Sequence, residues 1–175
     1  MKSIVIYKSQ TGFTKKYAEW ISQESGAECM DIKRAKKIRL SDYDAVIYGG
    51  WCMAGSITKL DWFKKQISSL NTEEKKIIVF MVGASPADSP DIPIAMERIF
   101  SGEEWKGVKT FYCPGGLDYD KMNFFSRSAM KLLAKSLSSK EDASEKDRKM
   151  AELISHSYDI SSKKYIEPIL KELMP

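Results

Sequence analysis

The sequence predicts an α/β protein: one doubly wound parallel sheet of five strands, with helices on both faces and a helical insert after the fifth strand. Three observations carry this. Five short apolar runs, at residues 4–7, 27–32, 45–48, 76–82 and 108–113, are separated by segments of helical character. Within the runs, apolar residues are continuous rather than alternating, the pattern of strands covered on both faces. Strand and helix patterns alternate along the chain, which calls for parallel strands joined by crossovers. At 175 residues, with 43% apolar and 30% charged residues, the chain is expected to form a single globular domain over residues 1–175.

The first strand, Ile4-Val5-Ile6-Tyr7, leads into Ser9-Gln10-Thr11-Gly12-Phe13-Thr14. Phe13, Tyr17 and Ile21 then recur every four residues with Ala18 beside them, so a helix follows, stopped at Gly26. A hydroxyl-rich turn between strand and helix presents unpaired N–H groups at the positive end of a helix dipole, which is an anion site. The ordinary alternative is a turn whose threonines cap the helix.

After the second strand, residues 33–39 hold five basic side chains in seven, read as a solvated loop and short helix. The third strand ends at Gly49-Gly50. Ile57, Leu60, Phe63 or Lys64, Ile67 and Leu70 space a helix over 56–70. The fourth strand ends at Gly83. Residues 85–93 contain three prolines and read as a loop, and residues 94–100 as a short helix before Gly102. The fifth strand ends at Pro114-Gly115-Gly116. Residues 118–157 form the insert, and residues 161–173 the last helix. Inside the insert, Met122, Phe125, Ala129, Leu132 or Leu133, and Leu137 make a helical stripe, accompanied by Lys121, Arg127, Lys131 and Lys135. A basic amphipathic helix of this kind suits an anionic membrane surface over 119–137, or else covers the sheet edge.

Several classes of chemistry are disfavoured. No Gly-Lys-Ser/Thr follows the first loop, and the loop has one glycine rather than three, so neither a P-loop nor a dinucleotide fingerprint is present. A single histidine, His156, in a polar stretch near the end, is expected at the surface and leaves little for a zinc site or a Ser-His-Asp triad. Cys29, Cys52 and Cys113 are far apart and are expected as free buried thiols. No run has the length of a membrane span, and no leader pattern opens the chain, so a cytoplasmic protein is expected, with peripheral contact to the inner membrane face if the insert meets lipid. No nucleic-acid partner is expected.

The first loop resembles the signature of the flavodoxin family. There, a strand ending in an aromatic residue leads into Ser/Thr-x-Thr-Gly-x-Thr, with an alanine four residues on. Tyr7, Ser9, Gln10, Thr11, Gly12, Phe13, Thr14 and Ala18 fill those places. The resemblance implies a flavodoxin-like strand order of 2-1-3-4-5 and noncovalent FMN, its phosphate on residues 9–14. The loop after the third strand, Gly50, Trp51, Cys52, Met53, Ala54 and Gly55, would hold one side of the ring, with Trp51 or Met53 against it; Trp51 reads equally as a core aromatic. Small residues there would let a peptide turn to meet the reduced ring. The loop Gly83, Ala84, Ser85, Pro86 and Ala87 would close the other side, without the aromatic that many flavodoxins stack there.

Across most of the chain, the basic character, Gly115-Gly116-Leu117 with Tyr119, and the aromatic-then-cationic run 124–133 also look like the menaquinone-dependent protoporphyrinogen oxidase family of flavodoxin relatives. In place of that family's arginine-rich character stand Asp118 and Asp120. The net charge of +4 departs from the acidic balance of soluble flavodoxin carriers. Two roles are therefore implied: electron transfer with a redox protein partner, or FMN-dependent oxidation of protoporphyrinogen with a quinone as acceptor. A third reading is a binding module without cofactor. No acid or base side chain stands out as catalytic.

Overall fold

The computed structural model describes residues 1–53, 55–70, 74–139 and 143–174. Five parallel strands form the main sheet: β1 (Ser3–Tyr7), β2 (Glu28–Asp31), β3 (Ala45–Met53), β5 (Lys76–Gly83) and β6 (Lys109–Pro114), in the order β2-β1-β3-β5-β6. A two-residue strand, β4 (Ser56–Ile57), pairs antiparallel with the end of β3. Counting only the long strands, the order is the expected 2-1-3-4-5, with the direction of winding reversing between β1 and β3.

Each face of the sheet carries its own core. Val5, Ile47, Ile78, Phe80 and Val82 point to one side, against Tyr17, Ala18 and Ile21 of α1 (Phe13–Ser25) and Ile169 and Leu173 of α7 (Glu167–Leu173). Ile4, Ile6, Val46, Tyr48, Val79 and Met81 point to the other, against Ile32 and Ala35 of α2 (Ile32–Ala35) and Leu60, Phe63 and Ile67 of α3 (Leu60–Ile67). Alternation between two apolar faces is why the strands read as unbroken apolar runs.

Four boundaries differ from the sequence reading, one being the last helix, expected over 161–173, which begins only at Glu167 after a 3-10 turn at Lys163–Ile166. The third strand does not end at Gly49: it runs on to Met53 and folds back through β4, so residues 50–53 are strand rather than loop. The hairpin is held by the Thr58 amide, which donates to the Trp51 carbonyl at 3.0 Å. The helix expected over 56–70 consequently starts only at Leu60, because Ser56 and Ile57 belong to the hairpin. The helix expected at 94–100 begins earlier, as α4 (Asp91–Ile99), with Pro93 in its first turn, where the missing N–H costs no intrahelical bond.

The insert is a helical hairpin, α5 (Phe124–Ser138) and α6 (Glu145–Ile154). Asn123 caps α5 and Ser144 caps α6 through a capping box with Asp147. The chain enters the insert along β7 (Gly116–Leu117) and leaves it along β8 (Tyr158–Asp159), which pair antiparallel as a short ribbon.

Candidate functional site

A cleft of about 520 Å³ opens at the carboxyl ends of β1, β3 and β5, where the winding of a doubly wound sheet leaves a crevice. Four segments line it: Gln10, Thr11, Phe13 and Thr14 from the first loop; Trp51, Cys52 and Met53 from the end of β3; Val82, Gly83 and Ala84 from the end of β5; and Gly116 and Leu117 with a face of α5.

The first segment leaves the start of α1 without a side-chain cap. Gly12 stands at the N-cap of α1 with φ 105°, a left-handed conformation that suits glycine, and no side chain caps the helix. The threonine-cap alternative is therefore not realised. The first intrahelical bond runs from Lys16 N to Gly12 O at 2.9 Å, so the amides of Phe13, Thr14 and Lys15 precede any intrahelical acceptor. Ser9 closes the loop by accepting from Gly12 N at 3.1 Å. Thr14 is 2% exposed as a residue, and it lines the cleft. Its hydroxyl and the orphan amides are donors that a polar partner would satisfy.

The second and third segments line the cleft beyond the first loop. Trp51 is half-buried, and Met53 lies exposed at the mouth. Gly49 and Gly50 are buried beneath: a Cβ on Gly49 would lie 2.0 Å from the Phe80 ring. Gly55 turns the hairpin with φ 77°, and its carbonyl accepts from Arg98 at 3.4 Å. The opposite wall is pinned from behind. The hydroxyl of Tyr112 donates to Ser85 O and that of Tyr158 to Ala84 O, each at 2.7 Å, and Gly115 N donates to Gly83 O at 2.7 Å. Burial pushes the Tyr158 phenol up to about 12 and the Tyr112 phenol higher still, so both remain donors.

Of the sequence-stated candidates, Gln10, Thr11, Phe13, Thr14, Trp51, Cys52, Met53, Gly83 and Ala84 come together at the cleft. Ser9, Gly12, Gly50 and Gly55 stand behind it, shaping the backbone. Ser85, Pro86 and Ala87 lie beyond it, with Pro86 and Ala87 exposed. Ala54 lies outside the described residues. Cys113 is buried, as expected, but Cys29 is half-buried and Cys52 is exposed on the cleft wall, because the end of β3 runs out beyond the core. His156 is exposed.

The fourth segment was missed. Met122, Phe125, Ser126, Ala129, Met130 and Leu133 of the insert face the cleft. The stripe read for lipid or for the sheet edge thus turns largely toward the other three walls. Helical spacing had marked the face; nothing in the spacing states what a face meets. The outward side of α5 carries Phe124, Lys131, Leu132 and Lys135. Among the described residues, no helix is long and apolar enough to cross a membrane, and no group of His, Cys, Asp and Glu is arranged to hold a metal.

A family model described as a flavodoxin domain matches residues 4–144. No curated protein matches the chain. Among solved structures, a flavoprotein in complex with FMN from Lactobacillus acidophilus is 17% identical, covering 65% of this chain and 91% of its own, at a TM-score of 0.46. The Trp repressor binding protein of Bacillus subtilis is 20% identical, covering 65% and 83%, at 0.47. A flavodoxin from the domain Archaea is 15% identical, covering 89% and 100%, at 0.36. With most of its length matched by the family model and its sheet wound in the family's order, the chain belongs to the flavodoxin domain family.

Proposed function

We propose that the protein binds FMN noncovalently and acts in electron transfer. The observation that carries this is the division of the cleft: a buried threonine and uncapped helix amides in the first loop, and mostly apolar walls along the rest. A phosphate fits the first part and a planar ring the second. When bound, the flavin supplies the redox chemistry. Thr14, with the amides of the first turn of α1, would hold the phosphate. The β3–β4 hairpin and the Gly83–Ala84 backbone would orient the ring, and Trp51 and α5 would keep water from it. The exposed mouth beside Met53 offers an electron partner a short path, and the net charge of +4 suits an anionic partner surface.

A second reading is favoured by one observation, the apolar face of α5 turned into the cleft. An FMN-dependent enzyme acting on an apolar organic molecule, of the protoporphyrinogen oxidase kind with a quinone acceptor, would use such a wall. In that case, Phe124 and Leu132 on the outer side, with Lys131 and Lys135 on the same side, would rest on anionic lipid.

The test is the visible spectrum of the purified protein through stepwise reduction, with the apoprotein titrated with FMN and riboflavin. A flavin spectrum restored by FMN supports the proposal. Failure to bind either compound ends it. Turnover of protoporphyrinogen with a quinone present would move the assignment to the second reading.

A further inference from the structure

Helix α5 lines the cleft, yet it is attached unlike a wall. None of its side chains is buried, and Phe125, which faces the cleft, is 81% exposed. A helix cemented in place buries one stripe against its support. Its other neighbour is α6, across a groove lined by Ala134, Lys135 and Ser138 on one side and Arg148, Ala151 and Glu152 on the other. The base of the hairpin is internally tied: Tyr119 donates through its hydroxyl to Ile154 O at 2.5 Å and through its amide to Ser157 Oγ at 3.0 Å.

Toward the body, the polar ties are few and weak. Gln10 Nε2 stands 3.5 Å from Ser126 Oγ, at the outer limit of a hydrogen bond. Lys146 pairs with Asp91 at 2.9 Å, with both side chains more than half exposed, a class of ion pair that holds little. The covalent connections are the two strands of the β7–β8 ribbon. There Gly116 has φ 149°, and a Cβ at that position would lie 2.0 Å from the Tyr158 carbonyl oxygen. That close packing, with the Tyr158 hydroxyl donating to Ala84 O at 2.7 Å and Ile160 N to Gly115 O at 2.8 Å, anchors the ribbon to the body, so the hairpin turns where the chain leaves the outer end of the ribbon.

We propose that the α5–α6 hairpin is a hinged cover that pivots at the outer end of the β7–β8 ribbon and lays the apolar face of α5 on the bound cofactor. This rests on the FMN reading above. The exposed side chains of Phe125 and Leu133, with the half-buried Met130, are what closure would remove from water, and the ring would supply the surface they lack. Gln10 makes the link to occupancy. It belongs to the first loop and stands against Ser126, so ordering that loop on a phosphate also fixes the near end of α5.

Hydrogen exchange on the full chain tests this, alone and with FMN, riboflavin or inorganic phosphate, while flavin fluorescence reports binding. FMN is expected to slow exchange over 124–138 roughly tenfold, by suppressing local opening, and riboflavin to do so in part. Inorganic phosphate is expected to protect the first loop, the start of α1 and, through Gln10, the near end of α5 at Ser126, but not residues 129–138. A Phe125→Ala, Leu133→Ala variant is expected to release FMN several-fold faster, with first-loop protection unchanged. If FMN binds and protects the first loop while exchange over 124–138 and the release rate of the variant stay as they were, α5 is a fixed surface and the cover is wrong. If FMN does not bind the wild-type chain, the FMN reading itself has failed and the cover falls with it.

Discussion

The hydroxyl of Tyr158, on the strand that returns from the insert, donates to the carbonyl of Ala84, on the wall of the cleft, at 2.7 Å. The two residues are far apart in sequence, and the bond makes the base of the insert a support of the site. Replacing Tyr158 by Phe keeps the ring and leaves a part-buried carbonyl unpaired. The variant is expected to lose about 1 kcal/mol of stability in urea unfolding. It is also expected to loosen amide protection at residues 83–85. Unchanged exchange there would show that the tyrosine supports only the ribbon.

Thr14→Val preserves shape and removes the hydroxyl of a buried residue that lines the cleft. FMN affinity is expected to fall by about 1.5–3 kcal/mol, the worth of a hydrogen bond to a charged group. Riboflavin affinity should hardly move, because riboflavin has no phosphate. Equal loss for both in parallel titrations would detach Thr14 from phosphate binding.

Gly50 and Gly55, which share the expected ring loop, should now behave differently. Gly50 is strand, and a Cβ on it would lie 2.5 Å from Ile57 Cγ2 and 2.9 Å from Thr58 O, so Gly50→Ala should cost about 1–3 kcal/mol by overpacking the hairpin. Gly55 has φ 77°, so Gly55→Ala strains the turn by about 1–2 kcal/mol. Only the turn is free to answer a change at the ring, so Gly55→Ala should shift the reduction potential of bound FMN. Thermal unfolding and spectroelectrochemistry separate the two effects; an unshifted potential in Gly55→Ala removes the turn from redox tuning.

If the outer side of α5 meets anionic lipid, Lys131→Glu with Lys135→Glu should abolish liposome sedimentation, with FMN affinity unchanged. Wild-type binding should fade as salt rises, since each exposed cation near such a surface is worth about 1 kcal/mol and is screened. Wild-type protein that never sediments with anionic liposomes would leave the electron-transfer reading without a membrane.

Alkaline stability should follow the tyrosines. Burial raises Tyr158 from 10.0 to about 12 and raises Tyr17, Tyr48 and Tyr112 further. The neutral phenol is the form the fold favours, so between these values the unfolded chain loses protons that the native chain keeps. Stability is therefore full below pH about 10 and falls as pH rises through about 12 and beyond. Urea midpoints across that range should decline, less steeply in Tyr158→Phe; a flat profile would contradict the burial of these hydroxyls.

The sequence by itself determined the sheet and the strand–turn–helix unit that carries Ser9 to Thr14 to the cleft. Continuous apolar strands and the 3.6-residue spacing of Phe13, Tyr17 and Ile21 are local patterns that burial on two faces imposes, and they survive any tertiary arrangement. The Ser9 to Thr14 segment was legible for the same reason: one strand, one turn and one helix contain the whole feature. Only the tertiary structure decided that residues 50–53 continue β3, because that depends on β4 folding back to pair with them. The same holds for the fourth wall. The stripe of Met122, Phe125, Ala129 and Leu133 is visible as a period, but a period names a face and not its partner. What α5 faces is set by the β7–β8 ribbon, a pairing of Gly116 with Asp159 and Leu117 with Tyr158 across a separation that no local pattern can encode.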